Sequence, residues 1–149
     1  VAYWGMLALL HARALARAGS VAQSLAAQRG ERVVRVAAMP VLADPTRWLC
    51  VAETERATIR FDLSLNAAND ARLSQFARRI ETPQGDAGEI VALASQDRRA
   101  VVFLNFARFP VTSLRRDCIG ETLVQFADLR FTEPGQGGSF ALEIPVENR

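Results

Sequence analysis

One histidine, two cysteines and sixteen carboxylates are all this sequence offers for catalysis or metal binding. A Ser/His/Asp or Cys/His nucleophilic site would have to use His11. That residue sits in a helical run with Arg13 close by and reads as a packed or interfacial side chain. Cys50 and Cys118 lie in no CxxC pair and in no Cys/His cluster, so the spacing of a zinc site is absent. Cys50, in an apolar strand-like run, reads as a small buried hydrophobe. Cys118 follows Arg115-Arg116-Asp117 near a turn, and two reduced thiols are the default expectation. No HExxH, GxSxG, P-loop or GxGxxG motif occurs. Asp44, Glu53, Asp62 and Asp128 are the carboxylates set in or beside predicted strands. Acid–base work needs two of them together, and no spacing pairs them. No catalytic residue and no metal ligand is assigned.

The remaining candidates are binding residues. Arg47 and Trp48 follow Pro40, Asp44 and Pro45, whose rings restrict the backbone at the entry to a strand. They could form a surface recognition pair, although a buried Trp at a strand start is the commoner case. Phe103, Phe106 and Phe109 recur every three residues and read as core, leaving Arg108 to point elsewhere. Asp128 and Arg130, two apart on a predicted strand, would share one face. They would form an ion pair there, or line a ligand groove together with Arg47 and Arg108. Three basic pairs, Arg78-Arg79, Arg98-Arg99 and Arg115-Arg116, could meet anionic lipid or nucleic acid. Scattered solvated charge is the plainer reading. The glycines around Gly135-Gln136-Gly137-Gly138 lie between strands, with no helix following, and suit a hairpin loop better than a phosphate cradle.

These residues need a scaffold. Residues 3 to 29 read as one long helix, with Trp4, Leu7, His11, Ala14, Ala18, Val21 and Leu25 at three- and four-residue spacing and Gly30 as its stop. Val33–Ala38, Trp48–Glu53 and Thr58–Leu65 read as strands, the last two joined as a hairpin through Thr54–Ala57. Asn69–Ile80 reads as a short helix, capped by Asn66 or Asn69. Asp86–Phe106 reads as a second long helix with a polar middle at Gln96–Arg99 where it can break. Three strands follow within Val111–Leu114, Glu121–Phe131 and Ser139–Val146. Short links imply antiparallel pairing. The expectation is an α+β fold: a long amino-terminal helix and further helices on one face of a mostly antiparallel sheet of about six strands. The helix, residues 1–30, would be continuous with a single domain over 31–149.

At 149 residues, 50% hydrophobic and 23% charged, the chain can bury an ordinary core without metal or disulfide. A net charge of +2 is too small for a dedicated nucleic-acid binder, so nucleic acid is an unfavoured partner. All 18 basic residues are Arg, which fits a GC-rich coding sequence. The chain starts at Val1 without Met and reads as part of a longer protein. Its first ten residues are almost wholly apolar and are followed by Arg13 and Arg17. Ten residues are half of the roughly 20 needed to span a bilayer. They could close a spanning helix, with the arginines on the cytoplasmic side, or pack as an ordinary helix end.

Three segments carry a resemblance: Met39-Pro40 through Trp48, Phe106-Ala107-Arg108-Phe109-Pro110, and Asp128-Leu129-Arg130 within Phe126–Phe131. Their order and spacing, with the Ala-rich helix ending at Gly30, resemble the soluble tail of the predicted membrane-bound metal-dependent hydrolases of bacteria, the YdjM-like inner-membrane proteins. The resemblance implies a cytoplasmic accessory domain of an inner-membrane protein, regulatory, partner-binding or substrate-presenting. Its partner would be that protein's own membrane domain, with the inner-membrane surface close by. It also implies a divalent metal held by histidines and an aspartate in the amino-terminal membrane part. No such cluster occurs here, so no cofactor and no catalytic role transfers to these residues. The alternatives read from the residues are a small-ligand-binding domain or metal-independent enzyme with an Arg/Asp-lined pocket, and an Arg-mediated nucleic-acid module.

Overall fold

A computed structural model describes residues 2–66, 76–116, 121–138 and 140–147. The fold is α+β, with every strand pair antiparallel. The strands form two sheets, of four and three strands, and the chain divides into two compact units, Val1–Glu81 and Thr82–Arg149. Each unit has its own sheet and its own core, and the antiparallel strands expected from the sequence are shared between the two sheets.

In the first unit, helix α1 (Ala2–Ala27) precedes strands β1 (Val33–Val41), β2 (Asp44–Thr54), β3 (Ala57–Ser64) and β4 (Arg78–Glu81), in the order β1-β2-β3-β4. The helix ends as its sequence requires. Gly30 takes a left-handed φ of 66°, while Glu31 N–H donates to the Ala26 carbonyl at 3.0 Å and Gly30 N–H to Ala27 at 3.1 Å, a Schellman closure. Ala14, Ala18 and Ala22 form a small-residue stripe that lets α1 lie close against the sheet. It meets Ala38 of β1, Trp48, Cys50 and Ala52 of β2, and Ile59, Phe61 and Leu63 of β3. The register stacks Trp48 beside Leu63, Cys50 beside Phe61 and Ala52 beside Ile59, so the alternation expected for β2 and β3 is the core face. Their link is Glu55-Arg56, closed by Ala57 N–H donating to Thr54 Oγ1 at 3.0 Å. The expected helix over 69–80 falls largely outside the described residues. Its end is corrected: Arg78–Glu81 is an edge strand paired with β3.

The β1–β2 hairpin turns through Leu42-Ala43. Its register slips between Pro40↔Trp48 and Val41↔Asp44, a bulge on the β2 side. Ala43 sits at φ 66°, a left-handed conformation that suits glycine better. Ala43→Gly is therefore expected to raise the unfolding free energy by about 0.5–1 kcal/mol, net of the extra freedom it gives the unfolded chain. A denaturant titration measures this, and equal or lower stability would contradict it.

In the second unit, helices α2 (Gly85–Ala94) and α3 (Arg98–Phe106) precede strands β5 (Pro110–Arg116), β6 (Thr122–Asp128) and β7 (Ala141–Val146), with β6 central. The expected single helix breaks at its polar middle. Asp97 caps α3 by accepting from Arg99 N–H at 2.8 Å. Ala94, Ala100, Val124, Phe126, Ile144 and Val146 form the core, with Ile90, Phe103 and Leu104 packed on it. Pro145 is tolerated because β7 is an edge.

Candidate functional site

Asp128 and Arg130 come together, though not as two residues on one strand face. β6 ends at Asp128, and Arg130 lies in the turn beyond it. The Asp128 side chain is fully buried and that of Arg130 is 15% exposed. The carboxylate accepts from the backbone N–H of Arg108 and of Arg130, both at 3.1 Å, and from Arg130 Nε at 3.0 Å and Nη2 at 2.5 Å. Its own backbone carbonyl accepts from Phe131 and Thr132 N–H. Burial alone would raise the Asp128 pKa, but the Arg130 side chain and the two amides hold it below the ordinary carboxylate range. A carboxylate so fully engaged locks a turn and has no free lone pairs directed at a ligand. The Arg108 side chain is exposed, and Arg47 belongs to the other unit.

The phenylalanine stripe needs a correction. Phe109 is buried and Phe103 packs on the core, but Phe106 is exposed. It stacks with Phe140 at 6.3 Å. Phe140 in turn stacks with Phe131 at 4.4 Å, and the Arg130 guanidinium lies 4.7 Å from the Phe131 ring centre. The stacking of Phe131 on Phe140 has no sequence signal, because the two lie in turns, one past β6 and the other just before β7. The glycine loop is pinned rather than open: Gly135 N–H donates to Gln125 Oε1 at 2.7 Å. Of the basic pairs, Arg79, Arg99 and Arg115 each face a carboxylate, and so form no free basic patch.

Nucleophilic and metal chemistry find no support among the described residues. Cys50 is buried, and desolvation, with Asp62 adding to it, pushes its thiol up to about 12, so it stays protonated. Cys118 lies outside the described residues. Among the described residues, no group of three His, Cys, Asp or Glu side chains could hold a metal ion.

A second buried charge cluster is structural. Glu31, just past α1, accepts from Thr54 Oγ1 at 2.6 Å and from Arg79 Nη2 at 2.7 Å, while Arg79 Nε donates to Glu81 at 2.6 Å. The cluster ties the α1–β1 link to the β2–β3 turn and to β4. The Thr54 hydroxyl, and then Arg79 against the cost of burial, lower the Glu31 pKa; Arg79 does the same for Glu81. A lowered folded pKa stabilises the fold above the unfolded value of about 4.3, and that stability fades as pH falls through the folded pKa. The thermal midpoint is expected to drop on acidification below about pH 4. Glu31→Gln is expected to flatten part of that slope in melts followed by circular dichroism. An unchanged slope in the variant would contradict this assignment.

The most distinctive surface lies at the amino-terminal end of α1. Trp4, Leu7, Ala8 and His11 of α1, with Ala38, Met39 and Pro40 of β1 and Pro45 and Trp48 of β2, line an open, almost wholly apolar groove of about 480 Å³. Trp48 is buried, its Nε1–H donating to the Pro45 carbonyl at 3.1 Å, and His11 stacks on its ring at 5.5 Å and 11°. Arg47 beside it is exposed. Above this packed layer, Tyr3, Trp4, Met6 and Leu9 are 51–73% exposed. Among the described residues, no helix is long and apolar enough to cross a membrane by itself. No family model, curated protein or solved structure matches the chain.

Proposed function

We propose that this chain is a non-catalytic accessory domain of a membrane-bound protein, attached at the membrane through the first turns of α1. The observation that carries the reading is the apolar collar of Tyr3, Trp4, Met6 and Leu9. At about 100° per residue these side chains spread around the helix instead of following one stripe. A helix that docks on one protein face needs only one apolar stripe, whereas one apolar all round suits an apolar surrounding medium. Tyr3 and Trp4, packed edge to face at 5.8 Å, are the residue types enriched at bilayer interfaces. Arg13 and Arg17 follow one and just over two turns after Leu9, in keeping with the positive-inside rule for a cytoplasmic domain.

The reading agrees with the resemblance to the predicted membrane-bound metal-dependent hydrolases. On that resemblance the parent is an inner-membrane hydrolase whose divalent metal and reaction reside in its membrane part. The chain's part would be regulatory, partner-binding or substrate-presenting. An Arg/Asp-lined ligand pocket gains no support, because Asp128 and Arg130 satisfy each other. Cell fractionation tests the proposal. The complete protein, made by its own cells, is expected in the membrane pellet and to stay there through an alkaline carbonate wash. Recovery in the soluble fraction would overturn it.

A further inference from the structure

Trp4 shares its groove with Pro40 and Pro45, which flank the β1–β2 turn, so the start of α1 and the tip of this hairpin lie at the same end of the first unit. At that tip Leu42 is 95% exposed. Two-residue hairpin turns normally carry polar or glycine residues. Here they are Leu42 and Ala43, with Ala43 held at a left-handed φ of 66°. The tip is thus apolar at some cost in backbone strain and with no burial in return.

The charged side chains around this end are mostly cationic, Arg13, Arg17 and Arg47 against the carboxylate of Asp44 beside the turn. The first acidic residue of the chain is Glu31, so α1 carries only Arg13 and Arg17 among its charged side chains. Arg13 is exposed one turn beyond Leu9, and Arg47 is exposed on β2. Arg17 is drawn to the Ser64 carbonyl at 3.1 Å. The nearest carboxylate, Asp44, is turned back onto its own strand, accepting from Thr46 N–H at 2.9 Å and Thr46 Oγ1 at 2.7 Å. An apolar rim with cationic side chains behind it complements an anionic lipid surface: acyl chains meet the rim, phosphates the guanidiniums.

We infer that the β1–β2 hairpin tip is a second membrane-inserting element, which enters the headgroup–acyl boundary of an anionic bilayer beside the first turns of α1. The inference rests on the membrane attachment proposed above and adds that the first unit is held at two points. A single helix leaves a domain free to swivel; a helix and a hairpin fix which face of β1–β3 lies toward the lipid. The groove between them then opens at the membrane surface.

The test is co-sedimentation of the full 149-residue chain with vesicles of phosphatidylcholine alone or with added phosphatidylglycerol. Leu42→Asp is expected to weaken binding to phosphatidylglycerol vesicles about tenfold, and Leu42→Trp to retain it with a blue-shifted emission on binding. Because Leu42 is exposed, both variants should melt as the parent does. The parent is expected to bind vesicles containing phosphatidylglycerol more tightly than phosphatidylcholine alone, with salt reducing the difference. Equal binding by Leu42→Asp and the parent would overturn the inference. So would no lipid binding by the parent, which would point to a protein partner at this end. If Leu9→Asp detaches the chain while Leu42→Asp does not, the hairpin inference fails alone. Failure of the membrane attachment itself is read separately, from the fractionation of the complete protein.

Discussion

Asp128→Ala is expected to lower the unfolding free energy by about 3 kcal/mol, within the 3–5 kcal/mol range for removing one partner of a buried ion pair. The substitution leaves the Arg108 and Arg130 amides without their acceptor and the Arg130 guanidinium without its counter-charge. The turn that carries Leu129 into the core and brings Phe131 against Phe140 would lose its lock. Asp128→Asn keeps one acceptor oxygen and is expected to cost less. Acid should mimic the alanine variant. The Asp128 pKa is lowered in the fold, so its contribution is complete above the unfolded value of about 4 and is lost as pH falls through the lower folded value. Chemical denaturation of the three proteins at neutral and acid pH measures all of this. A loss under about 1 kcal/mol in Asp128→Ala would mean that the residue is not the lock described here, and would reopen the ligand-groove reading of Asp128 and Arg130.

The second large effect separates binding from folding. Leu9 is 70% exposed on α1, while its neighbour Leu10 packs on the core and His11 stacks on Trp48. Leu9→Asp is therefore expected to leave stability within about 0.5 kcal/mol of the parent. Moving an aspartate instead of a leucine into the apolar part of an interface costs about 2 kcal/mol, a share of the full cost at a bilayer centre. That is roughly a thirtyfold loss of vesicle partitioning. A substitution that unfolded the chain would show the reverse pattern, with Leu9 part of a core.

The sequence spoke clearly where a pattern was local. Trp48-Cys50-Ala52 and Ile59-Phe61-Leu63 alternate because one sheet face is buried under α1, and that face could be read in advance. Gly30 announced the helix end because few residues other than glycine accept its φ easily. The division into two sheets could not be read in this way. Each strand advertises its two faces but not its partners, and β4 is only Arg-Arg-Ile-Glu, too short to show a period. The candidate residues divided along the same line. Trp48 proved buried, as the commoner reading had it. Asp128 and Arg130 were expected to share one strand face, but β6 ends at Asp128, and their pairing in the turn, with the Arg108 amide twenty residues away, was not legible in the spacing. Leu42 went unnoticed because an isolated leucine between Val41 and Ala43 looks like strand. Only the turn geometry leaves it uncovered.

The claim that the first turns of α1 face lipid is tested most directly at Trp4. Fluorescence of the parent and of Trp4→Phe is measured on phosphatidylglycerol-containing vesicles with brominated acyl chains, and the difference isolates Trp4 from the buried Trp48. The Trp4 component is expected to shift to the blue on binding and to be quenched by the bromines. A Trp4 component that keeps its water-exposed emission and is unquenched would contradict it.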